Sequence, residues 1–308
     1  MSARHDTADG RLDSGSMNEL GKRVAVAVVG IPAVLALVFL GGWYLAVLAA
    51  IFAALSALEL YRFCAGTDIE PLSAIGASAA VGMVLLAGWR PAFHDFAPWA
   101  LALVGVLTGV LLVLVIFLRS PDNRPLAAAS VTLFGAVYAG LALAAVPLLH
   151  ALPEGRGWAG GAGDPWAGFL VIALPLAATW VGDACAYFAG TTWGERRLAP
   201  SISPNKSWVG FWANLGGAAA AAAVWFVIAA PRLTGLPLGL GGAVALGTML
   251  GLGAVVGDLV ESLLKREAGV KDSGRIFPGH GGVLDRLDAL LFTLPLAYVA
   301  LVLIGGGV

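Results

Sequence analysis

The sequence predicts an all-α, polytopic integral membrane protein, and three observations predict it. Of 308 residues, 59% are hydrophobic and 12% charged, about half the roughly 25% charged share of soluble domains, and the mean hydropathy is +0.88. The apolar residues lie in nine runs, most of them near the ~20 residues that a helix needs to cross ~30 Å of hydrocarbon. Strand-like alternation is absent from those runs, which excludes a β-barrel, and lipid leaves only the helix to pair every backbone group within one segment. This composition cannot cover a water-facing surface. It excludes an ordinary soluble enzyme, a nucleic-acid binder and a disordered chain.

Residues 1–23 are polar and of mixed charge, and read as a flexible cytoplasmic tail rather than a secretory signal peptide. The nine runs follow: Val24–Leu40, Trp43–Tyr61, Leu72–Trp89, Ala97–Leu118, Leu126–Leu152, Trp166–Gly190, Trp208–Ala230, Leu238–Glu261 and Ala289–Ile304. Gly41-Gly42 between the first two is either a tight turn or a kink. Pro32, Pro147 and Pro175 fall inside runs and are expected to kink them. The small residues Ala218–Ala223 allow close helix approach. Trp43, Trp89, Trp99, Trp166 and Trp208 mark run ends as interfacial anchors. Cys64 and Cys185 read as small buried apolar residues, with neither disulfide nor metal spacing. We divide the chain into the tail, an N-terminal membrane region 24–165 and a C-terminal catalytic membrane region 166–308.

Nine crossings place the connecting segments alternately on two sides. Fifteen of the 18 basic residues then share the side of the N-terminus, and only Arg90, Arg156 and Arg232 lie opposite. Basic residues accumulate on the cytoplasmic side, so the tail and the even-numbered connections are expected to face the cytoplasm.

Two connections on that side are longer than a turn requires, Thr191–Ser207 and Ser262–Asp288. Asp183 lies in the last third of the sixth run, Asp258 and Glu261 end the eighth, and Asp285 and Asp288 open the ninth. Helix ends thus bring ionisable groups to one layer, and such groups inside a span are costly and point to function. Asp258 with Glu261 and Asp285 with Asp288 are spaced i, i+3, so each pair shares a helix face. Carboxylates from two helices suit a hard cation such as Mg²⁺, with Asp258, Asp285 and Glu261 as its expected ligands and a second cation left open. No Cys/His set has zinc spacing. The competing reading is structural ion pairing with Lys265, Arg266 or Arg286, and for Asp288 a helix cap.

The turn Pro278-Gly279-His280-Gly281-Gly282 lets backbone N–H groups converge on an anion, with Lys271, Arg275 and Arg286 nearby. His280 reads as a phosphate donor or base, or else as a solvent-facing turn residue. Ser203-Pro204-Asn205-Lys206-Ser207 is a polar nest before a helix start, and Lys206 in it is either an anion ligand or a snorkelling interfacial lysine.

These motifs resemble the signature of the phosphatidate cytidylyltransferase (CDP-diacylglycerol synthase) family. The resemblance rests on Ser262-x-x-Lys265-Arg266-x-x-x-x-Lys271-Asp272-x-Gly274 and on Pro278-Gly279-His280-Gly281-Gly282-x-x-Asp285-Arg286-x-Asp288. Asp183-x-x-Ala186-Tyr187-x-x-Gly190, Ser203-Pro204-x-Lys206-Ser207 and Asp258-x-x-Glu261 extend it over about Trp180 to Asp288. The family's upstream pattern, Ser-Pro-x-Lys-Thr-x-Glu-Gly, carries Ser207 for Thr and Val209 for Glu here.

The resemblance implies transfer of the cytidylyl group of CTP to phosphatidic acid, with pyrophosphate released and Mg²⁺ as cofactor. It implies Asp258, Asp285, Asp288, Lys206 and His280 as catalytic residues. Asp183, Ser203, Ser207, Lys265, Arg266, Lys271, Asp272, Gly281, Gly282 and Arg286 are then substrate-binding. The expected partners are CTP, phosphatidic acid and membrane lipids, with no nucleic acid, and a homodimer is left open. The expected location is the inner cell membrane with the site facing the cytoplasm. Two competing functions are transfer to another lipid phosphate, such as an archaeol or polyprenol type, and an ion or solute path. Charges confined to one layer argue against a path.

Overall fold

The computed structural model describes residue 28 and residues 30–159, 164–274, 276 and 281–306. The expected tail, Arg275, Pro278, Gly279 and His280 lie outside the described residues. The helices are α1 (Gly30–Leu40), α2 (Gly42–Arg62), α3 (Ser73–Trp89), α4 (Phe93–Leu118), α5 (Pro125–Gly155) and α6 (Pro165–Trp193). A hairpin of β1 (Arg197–Ala199) and β2 (Ser203–Ser207) precedes α7 (Trp208–Ala229) and α8 (Leu240–Glu267). The short α9 (Leu284–Leu287) leads into α10 (Leu290–Ile304). Seven segments are long and apolar enough to cross a membrane, the last being Leu284–Ile304, and α1 and α3 are shorter apolar helices. Each expected run has its helix, and the protein is an all-α polytopic membrane protein.

The first turn has a simple physical cause. Gly41 and Gly42 both have positive φ, 64° and 53°, where side chains are strained, and a Cβ on Gly41 would run into the His150 ring. The pair is therefore a turn. Pro147 and Pro175 lie within helices α5 and α6, which continue through them.

Helices α2, α3 and α5 form one packed group and α6, α7 and α8 another, with α10 against α5, α6 and α8. Small residues set the second group's spacing. Ala218 and Ala222 of α7 are fully buried, and Gly247 of α8 lies directly against them. Outward faces are apolar: Leu101, Ile116 and Phe117 of α4 are 74%, 73% and 79% exposed, a surface suited to lipid. Trp43, Trp89, Trp99, Trp166 and Trp208 are also exposed at helix ends. Cys64, in the turn after α2, and Cys185, on α6, are free and only half-buried, more open than expected.

Cross-chain contacts sort helix ends as alternate crossings require. Arg156 after α5 donates to the Gly305 carbonyl after α10, and the Gly235 amide after α7 donates to the Trp158 carbonyl. At the other end Arg119 after α4 pairs with Glu70 before α3 at 2.7 Å.

The two long connections are shorter than the hydropathy pattern suggests. Helix α6 runs on to Trp193, and α8 runs on to Glu267, so Ser262, Lys265 and Arg266 are helical rather than in a loop. The hairpin is the one two-stranded sheet among the described residues, with Arg197 opposite Ser207. Gly194 ends α6, and Ser207 caps α7 by accepting the Gly210 N–H at 3.1 Å, so the chain between must double back, as the hairpin does.

Candidate active site

Hairpin and helix ends enclose a cavity of 740 Å³, within the size range of small-molecule sites. Asp183 of α6, Ser203, Asn205, Lys206 and Ser207 of the hairpin, Asn214 of α7 and Asp258 of α8 line it. Lys206 Nζ stands 2.6 Å from Asp258 Oδ2, which ties the hairpin to α8. Asp258 Oδ1 accepts the Ser262 hydroxyl at 3.2 Å. With 23% and 37% of their side chains exposed, Lys206 and Asp258 remain open to the cavity. Asp183 Oδ1 accepts from the Asn214 amide at 3.1 Å. Asn214 is 1% exposed, wedged between Gly182 and Gly251, and its Oδ1 has no hydrogen-bond partner.

A second cluster lies beside the first and is closed. Lys265 Nζ bridges Glu261 Oε2 and Asp285 Oδ1, both at 2.8 Å. Asp285 Oδ2 accepts the Ser273 and Gly282 backbone N–H groups at 2.9 and 2.7 Å. Glu261 is fully buried, and its Oε1 has no partner. Asp288 links the clusters. It lies within electrostatic range of Asp183, Asp258 and Lys265, and its Oδ1 accepts the N–H of the next residue, Ala289, at 2.7 Å, which is not a cap of α10. Gly257 makes this approach of α8 to Asp288 possible, because a Cβ there would meet the Asp288 carbonyl at 2.6 Å.

The expected site residues divide accordingly. Asp183, Ser203, Lys206, Ser207 and Asp258 share the cavity, although the Ser207 hydroxyl is also committed to its cap. Glu261, Lys265, Asp285 and Gly282 share the closed cluster. Lys271, Asp272 and Arg286 are exposed around it. Arg266 donates to the Ile202 carbonyl at 3.2 Å, which pins the hairpin turn onto α8. Of the glycine-rich turn, the described Gly282 does aim its backbone N–H at an anion, but that anion is Asp285 of the chain itself. Gly281, at φ 83°, has no Cβ to obstruct that carboxylate. Asp258 and Asp285 face different lysines. Among the described residues no group of three or more His, Cys, Asp or Glu side chains is gathered as ligands of one metal ion.

Two buried polar residues that the structure ties to these clusters escaped the sequence reading. Asn214, a polar amide in an apolar run, gives a weak signal. Glu59 gives a strong one: it is a fully buried carboxylate inside the α2 run, and it accepts hydrogen bonds from Ser273, Val283 and Leu284.

The chain matches the cytidylyltransferase family over residues 21–304. It is 34% identical over 306 residues to a phosphatidate cytidylyltransferase of Synechocystis sp., covering 92% of this chain and 97% of that protein. A phosphatidate cytidylyltransferase of Brucella suis is 36% identical over 248 residues, 72% of this chain and 82% of that one. One of Haemophilus influenzae is 40% identical over 132 residues, 43% and 46% of the respective chains. With a match that spans nearly the whole sequence, and with the signature residues gathered at one end of the helices, this chain belongs to the cytidylyltransferase family.

Proposed function

We propose that this protein transfers the cytidylyl group of CTP to phosphatidic acid, yielding CDP-diacylglycerol and pyrophosphate, in the inner cell membrane with its site on the cytoplasmic side. The observation that carries this reading is the 740 Å³ cavity at the helix ends, where Lys206 and Asp258 meet beside Asp183. A cavity there is reached by a water-soluble nucleotide from one direction and by a lipid headgroup from the membrane.

In the reaction an oxygen of the lipid phosphate attacks the α-phosphorus of CTP. A new P–O bond forms as the bond from that phosphorus to the bridging oxygen breaks, and pyrophosphate departs with the electron pair. The lipid phosphate is already ionised near neutral pH, so no strong base is required. Positioning and charge neutralisation supply the catalysis. Lys206 would exchange part of its contact with Asp258 for a substrate phosphate. The exposed Lys271 and Arg286, around the closed cluster, offer further positive charge for phosphate.

The residues present fit Mg²⁺ by their chemistry. Asp183, Asp258 and Asp288 are hard oxygen donors within electrostatic range of one another, and the buried Glu261 Oε1 and Asn214 Oδ1 lack partners. Asp258, with Asp183 on the same cavity wall, would hold the ion. Asp285 would join only by releasing Lys265. Bound there, the ion would neutralise the triphosphate and stabilise the leaving pyrophosphate.

Purified protein given radiolabelled CTP, phosphatidic acid and Mg²⁺ is expected to form labelled CDP-diacylglycerol, identified by mass spectrometry. A chelator is expected to stop the reaction and excess Mg²⁺ to restore it. A different lipid acceptor, or full turnover with chelator present, would overturn the substrate or the metal respectively.

Orientation has its own test. Cys64 is a poor probe, because burial, and then the Glu267 carboxylate, push its thiol above the usual range. In a background lacking both native cysteines, Ala65→Cys, at an exposed turn beside α2, is expected to react with an impermeant maleimide only in inside-out vesicles. His94→Cys, exposed near the opposite helix ends, is expected to react in intact spheroplasts. The reverse pattern would place the site outside the cytoplasm.

A further inference from the structure

We infer that Glu59, in the N-terminal half of the chain, is a positioning residue for the transfer reaction. The inference rests on reading Asp258, Lys265 and Asp285, with the cavity beside them, as the reaction centre. Glu59 is fully buried near the end of α2, in the apolar run Leu55-Ser56-Ala57-Leu58-Glu59-Leu60-Tyr61. A carboxylate in such a place is costly unless several donors meet it. Three donors do. Oε1 accepts the Val283 N–H at 3.0 Å, and Oε2 accepts the Leu284 N–H and the Ser273 hydroxyl, both at 2.8 Å. Ser273 and Val283 belong to the segment that joins α8 to α9 and Leu284 opens α9, all more than two hundred residues along the chain.

The same serine carries the contact onward. Ser273 gives its backbone N–H to Asp285 Oδ2 at 2.9 Å, and Asp285 Oδ1 holds Lys265 at 2.8 Å. A continuous series of charge-assisted bonds therefore runs from α2 through Ser273 and Asp285 to Lys265 on α8. Gly274 and Gly282 leave room for it, since a Cβ on either would run into the Glu59 carboxylate. The other end of the series is rigid. Tyr61, two residues on, donates its hydroxyl to the Thr132 carbonyl at 2.7 Å, and its ring fills notches left by Gly76 and Gly135. Glu59 thus references the signature segment to the α2–α3–α5 group, and a site is only as well placed as the residues behind it.

Glu59→Gln keeps the shape but turns one acceptor into a donor that faces a donor. The expected result is a fall in kcat of about 10²-fold per folded molecule, with KM for CTP changed less than about threefold, because displacing reacting groups by ~1 Å costs about that factor. Ser273→Ala is expected to lower kcat about tenfold. The double variant is expected to be no worse than Glu59→Gln alone, because both act through one series. Ser56→Ala, a buried α2 hydroxyl without a hydrogen-bond partner, is the control and is expected to match the parent. If Glu59→Gln does not accumulate, Ser273→Ala decides alone. A kcat within twofold of the parent for Glu59→Gln, or for Ser273→Ala in that case, overturns the inference. So does a double variant whose losses multiply, or a lower melting temperature with unchanged kcat. Asp258→Asn and Lys265→Met measured alongside separate the two readings. If these stay active, the reaction centre itself is misassigned, whereas if they are dead and Glu59→Gln is active, only the role of Glu59 falls.

Discussion

Asp258→Asn is expected to lower kcat/KM for CTP-dependent turnover by about 10³-fold, equivalent to about 4 kcal/mol of lost transition-state stabilisation, while the protein stays folded in the membrane. Asparagine matches aspartate in size and can still accept the Ser262 hydroxyl, so α8 keeps its local contact. What disappears is a negative charge 2.6 Å from Lys206 at the cavity wall. Lys206 then meets substrate without its counter-charge, and the proposed cation loses a carboxylate ligand. The expected stability change is small, because an ion pair with 23% and 37% of its side chains exposed contributes only about 1 kcal/mol or less. Turnover measured beside thermal unfolding in detergent checks both halves. Near-parental turnover would remove Asp258 from the reaction centre.

Asp285→Asn is expected to lose both turnover and stability. Its carboxylate serves three donors: Lys265 on one oxygen, and the Ser273 and Gly282 N–H groups on the other. An asparagine amide must turn a donor towards one of these sets whichever way it lies. The site is also more enclosed, with side chains 15% and 8% exposed for Lys265 and Asp285. Breaking an enclosed pair on one side costs on the order of 3 kcal/mol. A fall of at least 10³-fold in turnover is expected together with a clearly lower melting temperature. An Asp285→Asn protein that is inactive at parental stability would instead mark Asp285 as a direct ligand of substrate or metal. The contrast between the two aspartates separates an open reaction group from the anchor of the segment that carries it.

The membrane architecture was legible because hydropathy is a property of a segment taken alone. A run such as Ala97–Leu118 favours hydrocarbon whatever its neighbours do, and α4, the least buried of the long helices, shows it most plainly. The sorting of basic residues was legible for the same reason, since each connection carries its own charge. Helix ends were less so. Polar residues 262–267 read as loop, yet they extend α8 because Lys265 reaches back one turn to Glu261 and across to Asp285, and Arg266 bonds the hairpin turn. Hydropathy scores such residues as wet. It does not see that their polar groups have been satisfied by the fold.

The candidate site was legible as a set and not as an arrangement. Asp183, Lys206, Asp258 and Asp285 could be chosen from the sequence because ionisable groups beside apolar runs are expensive and need a reason. Which of them face one another depends on how α6, α7, α8 and α10 are rotated and spaced, and that is decided by small residues such as Gly182, Gly251 and Gly257. Sequence spacing placed Asp258 and Asp285 in one metal set, whereas the packed helices give each its own lysine. Glu59 shows the boundary most sharply: the cost of its burial is written in α2, but its partners lie in residues 273–284, and only folding brings them within hydrogen-bond reach. The free energy of moving a segment into lipid is local, so the chain states it outright. The pairing of buried charges is a property of distances between segments, and it exists only once the helices have packed.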